Sequence, residues 1–261
     1  MKTVIGFAFA AAALGLIGSA NAADLPVKAP IYKAPPPVAL YNWSGFYIGL
    51  HAGAAWSSGD AEWDPLPSPA AFGSNTITQN LSDTSFVGGV HLGYNFMLAP
   101  NWLLGIEGDW SWTNNDASWT TPWTFFGTST PVPGASTTMS RKIDWLSTVR
   151  GRFGYTVTPQ ALLYVTGGFA FGEVKYDATA FNGTTYTATF SDSTIKTGWT
   201  VGGGLEWALT RNWLLRGEYL FYRLGSESGT GNSAAFPTFP SGFNWNAIDI
   251  HVARVGVSYK F

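Results

Sequence analysis

The sequence contains no cysteine. Disulfide frameworks, thiolate metal sites, cysteine nucleophiles and lipid-modified cysteine anchors are therefore excluded. Charge is also scarce: 11% of the 261 residues are charged, against about 25% in an average soluble domain. The formal net charge is -2, which argues against nucleic acid, whose binders are usually basic. Disorder is excluded too, because it needs high charge and few aromatics. Here 16% of residues are aromatic, including 13 Trp. Beyond the first segment there is no long apolar run, so a membrane form of this chain crosses with strands, not helices.

Residues 1–22 read as a secretory signal peptide. Lys2 is the positive start, Val4 to Ile17 the apolar core, and Ala20-Asn21-Ala22 the cleavage site. Without Lys2, 13 basic residues face 16 acidic ones. Residues 23–43 then hold Pro26, Pro30, Pro35, Pro36 and Pro37. That composition predicts an extended, polyproline-like spacer.

From Ser44 onward polarity alternates with period 2, the signature of strands with two unlike faces. Eight runs are legible, roughly 44–56, 84–97, 102–112, 141–157, 162–174, 196–208, 213–224 and 247–261. Each is long enough to span a bilayer as a tilted strand. In the second run Phe86, Val90, Leu92, Tyr94 and Phe96 share one face with Gly88, opposite Val87, Gly89, His91, Gly93 and Asn95. Large residues therefore oppose glycines and a few charges. A soluble sandwich would cover its outer face with Lys, Glu and Thr. With the sides inverted, the large residues face lipid and the small and charged ones fill a narrow lumen. The expected fold is all-β: an eight-stranded antiparallel up-and-down transmembrane β-barrel over residues 44–261.

The connections alternate in length. Short turns fall at Ala99-Pro100-Asn101, Thr158-Pro159-Gln160 and Thr210-Arg211-Asn212. Long polar segments, read as external loops, occupy about 57–83, 113–140, 175–195 and 225–246. Bacterial outer-membrane barrels have this pattern, with short periplasmic turns and long outer loops. Trp56, Trp112, Trp145 and Trp199 fall at the long-loop ends of the strands; Trp43, Trp102, Trp207 and Trp213 fall at the short-turn ends. They are expected to form two aromatic girdles at the lipid–water boundaries. A weak internal repeat relates Asn101-Trp102-Leu103-Leu104 and Glu107 to Asn212-Trp213-Leu214-Leu215 and Glu218.

Further motifs are more specific. They are Ala23-Asp24-Leu25-Pro26, Trp43-Ser44-Gly45-Phe46-Tyr47-Ile48-Gly49, Gly88-Gly89-Val90-His91-Leu92-Gly93-Tyr94-Asn95-Phe96, and the terminal Phe261. With the signal peptide and spacer they resemble the alphaproteobacterial outer-membrane immunogenic proteins, which belong with the OmpA-like eight-stranded barrels. The resemblance covers the whole mature chain. It implies an abundant outer-membrane protein exposed at the cell surface, without a shared enzymatic activity. It also makes Val257, Tyr259 and Phe261 the C-terminal signal read by the barrel-assembly machinery. The other expected partners are outer-membrane lipid and lipopolysaccharide, with the protein a monomer and no nucleic acid involved.

Strand parity nominates a lumen network: the carboxylates Glu107, Asp109, Asp144, Glu206 and Glu218 and the cations Arg150, Arg152, Arg216 and Arg254. Buried ions must pair, so the expectation is a salt-bridged plug; the alternative is a gate along a narrow conduction path. His51 and His91 point inward at similar heights on neighbouring strands, with Glu107 expected close by. Two lumen histidines sharing hydrogen bonds is the plain reading, and a metal or acid–base site the sharper one. No motif supports a metal, a cofactor or a catalytic set. The long segments are acidic, and they carry Trp63, Trp119, Trp123, Phe125 and Phe126 as expected exposed aromatics. The expected role is structural support of the envelope with surface display. A narrow porin for small solutes, or an adhesin acting through its loops, are the alternatives.

Overall fold

The computed structural model describes residues 41–66, 74–234 and 236–261. The expected signal peptide, and the spacer up to residue 40, lie outside the described residues. All regular structure among the described residues is β. The strands are β1 (Gly45–Pro65), β2 (Ile77–Ala99), β3 (Trp102–Thr124), β4 (Pro131–Thr158), β5 (Ala161–Phe181), β6 (Thr187–Ala208), β7 (Trp213–Leu224), β8 (Glu227–Ser233), β9 (Phe236–Trp245) and β10 (Ile248–Lys260).

Strands β1 to β7 pair in sequence order, all antiparallel, and β10 pairs with both β7 and β1. That last pairing closes an eight-stranded up-and-down barrel with no free edge. Pro100-Asn101 and Pro159-Gln160 are the whole connections at two of the short turns.

Within the lower storey, toward the short turns, the alternation runs as the sequence predicts. On β1 the side chains of Phe46, Ile48, Leu50 and Trp56 point out, while Tyr47 and His51 are buried inside. Outward rings interlock across strands: Trp102 stacks on Phe153 at 5.0 Å and Trp110 on Trp145 at 4.2 Å.

The long segments differ from the expectation of polar loops. Most of 57–83, 113–140 and 175–195 continues as strand, and 225–246 forms the hairpin β8–β9. This hairpin completes an upper storey: β9 pairs with β1 at Ala61–Pro65, and β8 touches β6 through Thr189↔Asn232. The physical reason is an exchange of faces. Above Trp56, β1 turns Asp60, Glu62 and Asp64 outward and buries Ala61 and Trp63. The same strand is apolar-out against lipid and apolar-in against water, with unbroken parity. The upper storey thus has an ordinary soluble core, which includes Trp63, Trp123, Met139, Tyr176, Phe243 and Trp245.

Candidate functional site

Four arginines and four carboxylates meet in the lower lumen, with side chains at most 2% exposed. Glu107 is the hub. It accepts from Arg150 Nη2 at 2.5 Å, from Arg216 Nη1 and Nη2 at 2.9 and 2.7 Å, and from Arg152 Nη1 at 3.3 Å. Glu206 pairs with Arg216 at 2.6 Å and Arg152 at 2.9 Å. Glu218 takes Arg254 Nε at 2.7 Å and Arg150 Nη1 at 3.0 Å. Asp109 takes Arg150 at 3.0 Å, Arg254 at 3.3 Å and the Thr148 hydroxyl at 2.5 Å. The four formal positive charges balance the four negative ones.

Two tyrosines complete it. Tyr47 donates to Glu107 at 2.6 Å and accepts from Arg152 at 2.7 Å. Tyr164 donates to Glu218 at 3.0 Å and lies 4.1 Å beneath the Arg152 guanidinium. Their rings have room because the wall opposite is glycine. A Cβ on Gly93 would fall 2.3 Å from the Tyr47 hydroxyl, and one on Gly204 would fall 2.6 Å from the Tyr164 hydroxyl. Parity places both tyrosines on the inward face, although neither is among the expected network residues.

His51 and His91 sit beside this network, joined Nδ1 to Nδ1 at 3.2 Å. Arg254 Nη1 lies 3.2 Å from His51 Nε2, and a guanidinium only donates. His51 Nε2 therefore accepts, also from Ser111 at 2.8 Å, and its Nδ1–H donates to His91. His91 then donates through Nε2 to Ser258 at 2.8 Å. Every ring nitrogen is engaged, and the hydrogen-bond partners of the pair are serines and Arg254, not Glu107. Among the described residues no group of three His, Cys, Asp or Glu is placed to hold a metal.

Asp144 is a correction. The sequence places it in the lumen, but β4 bulges there: Ile143 pairs with Val174 and Trp145 with Glu173, leaving Asp144 unpaired. The extra residue turns it outward onto Lys175 at 2.6 Å and Lys142 at 3.6 Å. These neighbouring ammonium groups pull its carboxyl below the ordinary range. The bulge also brings Arg141 inward, a residue to which parity assigns no role. It is buried in the upper core, donating to Ser57 Oγ at 3.0 Å and the Leu81 carbonyl at 3.3 Å. No carboxylate lies within ion-pair reach among the described residues, and burial pulls it down to about 10.

Both ends of the network are closed by apolar layers. Trp43, expected in a girdle, is instead 1% exposed. Gly45, at φ 129°, turns the chain as it enters β1. Trp43 packs with Leu103, Leu162, Ala208 and Leu214 across the short-turn mouth. Above the network, Trp63 and Trp123 stack at 4.6 Å inside the upper storey. Those two are buried, not exposed as expected, and Trp119 is half-buried against the same core. Phe125 and Phe126 do stand exposed at the β3–β4 tip. Trp56, Trp102, Trp112, Trp199, Trp207 and Trp213 project outward at the two rims, and Trp145 is half-covered by Trp110. Val257 and Tyr259 line the outer face of β10, and Phe261 follows it, exposed.

The model of the outer membrane protein beta-barrel domain matches residues 9–261. The chain belongs to this family of outer-membrane β-barrels. It is 34% identical over 263 residues to the 31 kDa outer-membrane immunogenic protein of Brucella melitensis, covering 100% of both chains. It is 28% identical to the 22 kDa outer membrane protein of Rhizobium leguminosarum bv. viciae, over 84% of this chain and 79% of that one. The crystal structure of the outer membrane protease OmpT from Escherichia coli aligns with 86% of this chain and 99% of its own, at a TM-score of 0.50 and 9% identity. At that identity the likeness shows the fold alone. The barrel therefore lies in the bacterial outer membrane, its short turns periplasmic and its upper storey at the cell surface.

Proposed function

We propose that this outer-membrane barrel is a sealed structural element that supports the envelope and displays its upper storey, without conduction or catalysis. The observation that carries this reading is the filling of the lumen. An apolar layer around Trp43, a neutral network of four arginines and four carboxylates, and an aromatic core follow one another along the axis. An ion on this path must displace paired charges and cross two dry layers, each costly for an unpaired ion. The buried, fully bonded His51–His91 pair is likewise shut away from any substrate, which supports a non-catalytic role.

The partners of this reading are outer-membrane lipid and lipopolysaccharide along the apolar wall, and the barrel-assembly machinery at Val257, Tyr259 and Phe261, with the barrel acting as a monomer. The test is planar-bilayer recording of the purified, folded chain. A silent bilayer is expected; a stable large conductance would replace this reading with the narrow porin. One observation favours a contact role besides: Phe125 and Phe126 present adjoining exposed rings at a surface tip. Changing both to Ser should abolish any cell-surface attachment the protein confers and leave folding intact.

A further inference from the structure

Strand β1 changes partner just above the aromatic belt. It pairs with β10 as far as Ser58↔Asp249, and with β9 only from Ala61↔Trp245. The wall breaks beside this switch, because β7 ends at Leu224 before β8 starts at Glu227, and β9 ends at Trp245 before β10 starts at Ile248. Two cavities of about 480 and 360 Å³ open there and share Ser226 and Asn246. Volumes of this order suit small ligands.

The lining is almost wholly polar. Asp60, Asn80, Arg223 and Asp249 face the larger cavity; Glu62, Glu227 and Asn244 face the smaller. Several of these groups are underused. Among the described residues Asp249 Oδ1 is shielded from solvent yet makes no hydrogen bond, and its contact with Arg223 Nε is a long ion pair at 3.6 Å. The amides of Asn244 and Asn246 make no side-chain hydrogen bond among the described residues. Buried polar groups are normally satisfied, so the shielded Asp249 oxygen beside the open Asn244 and Asn246 amides points to a ligand that both donates and accepts.

The lining also excludes classes of ligand. Four carboxylates against Arg223 and the Glu227-bound Lys196 repel anions such as phosphate. No three acidic groups converge to hold a divalent cation among the described residues. A peptide seeks a strand edge several residues long or an apolar groove, and the notch offers only the two residues Gly59 and Asp60 between the two ladders of β1. Vicinal hydroxyls remain: they donate and accept at once, matching carboxylate, amide and guanidinium forks. Ser58 lies two residues above Trp56, about 7 Å at the rise of a strand. That is sugar height on an outer-membrane surface.

We propose that this notch binds a saccharide, neutral or amino-substituted. The proposal rests on the outer-membrane location, not on a sealed lumen. Sugar reaches this height from the outer-leaflet glycolipid or from a soluble glycan. The test is saturation-transfer NMR on the full chain folded in detergent micelles. One probe is the core oligosaccharide released by mild acid from the cell's own lipopolysaccharide, dephosphorylated and carboxyl-reduced so that it carries no negative charge; the other is maltohexaose. Transfer to the core oligosaccharide alone marks the glycolipid as the source, and transfer to maltohexaose marks a soluble glycan. The double change Asp60→Asn with Asn246→Ala should weaken binding at least tenfold. Ser226→Trp, at one of the two residues both cavities share, should fill the notch and abolish binding; it serves independently where the double variant loses its heat-modifiable gel mobility. Absence of transfer to either probe, or binding indifferent to a folded variant, overturns the proposal.

Discussion

Replacing Arg150 by Met leaves the stem volume and removes the cation at the centre of the lumen. Three carboxylates lose a partner: Glu107, Asp109 and Glu218. They are not equally affected. Glu107 keeps a two-pronged contact from Arg216, and Glu218 keeps Arg254 and Tyr164. Among the described residues Asp109 keeps only Thr148 and the longer Arg254 contact, and its Oδ1 already has no hydrogen bond. It becomes the uncompensated buried charge. Breaking one side of a buried ion pair costs about 3–5 kcal/mol, a factor of roughly 10² to 10³ or more in the folding equilibrium. The paired change Arg150→Met with Asp109→Asn restores a neutral lumen of three arginines and three carboxylates. It should be less destabilising than the two single changes summed, by about 0.5–3 kcal/mol, the usual coupling of residues in one network. The assay is reversible urea unfolding in lipid vesicles, followed by tryptophan emission. A loss under about 1 kcal/mol for Arg150→Met, or additivity of the two changes, would refute a charge-balanced plug.

Three other perturbations separate the buried groups from the exposed ones. Arg141→Met removes a buried cation with no carboxylate partner, so it should cost less than about 1 kcal/mol or stabilise the upper storey; a loss above about 3 kcal/mol in the same titration would reveal a partner it depends on. Asp144→Ala breaks only exposed pairs with Lys142 and Lys175, so stability should change by about 0–1 kcal/mol; a cost comparable to Arg150→Met would return Asp144 to the lumen. Burial lifts the Tyr41 phenol to about 12, and the phenol donates to the Arg211 carbonyl at 3.2 Å. Between pH 10 and about 12 the folded chain keeps a proton that the unfolded chain has lost, so its stability falls as pH rises. The advantage of wild type over Tyr41→Phe should be complete below pH 10 and vanish by about pH 12 in urea midpoints; a gap independent of pH would contradict it.

The lower storey was legible because lipid imposes one rule along every strand: large residues outward, small or ionic residues inward. Parity alone nominated Glu107, Asp109, Arg150, Arg152, Glu206, Arg216, Glu218 and Arg254, and the structure gathers them in one cluster. Two departures were not legible from parity. A β-bulge adds one residue to β4, and a single added residue reverses the facing of everything beyond it; Asp144 and Arg141 exchange sides for that reason. The turn at Gly45 carries Trp43 under the barrel, where it closes the mouth instead of joining a rim.

The upper storey was hidden by a change of solvent, not by a lack of pattern. Asp60-Ala61-Glu62-Trp63-Asp64 alternates as strictly as Phe46-Tyr47-Ile48-Gly49-Leu50. Its apolar members sit on the opposite parity, because water replaces lipid as the outer medium. Read with one rule for the whole chain, such a stretch has its tryptophan on the lumen side and its acids facing lipid, and it is dismissed as loop. Read with the rule reversed beyond Trp56, it predicts both the strand and the inward turn of Trp63. The point of reversal marks the outer boundary of the bilayer from sequence alone, between Trp56 and Asp60 on β1. The same change of medium accounts for the two kinds of filling. Beside lipid the apolar residues are drawn outward, so the lumen is left to ions that must neutralise one another. Above it the apolar residues turn inward and close the barrel with a dry aromatic core.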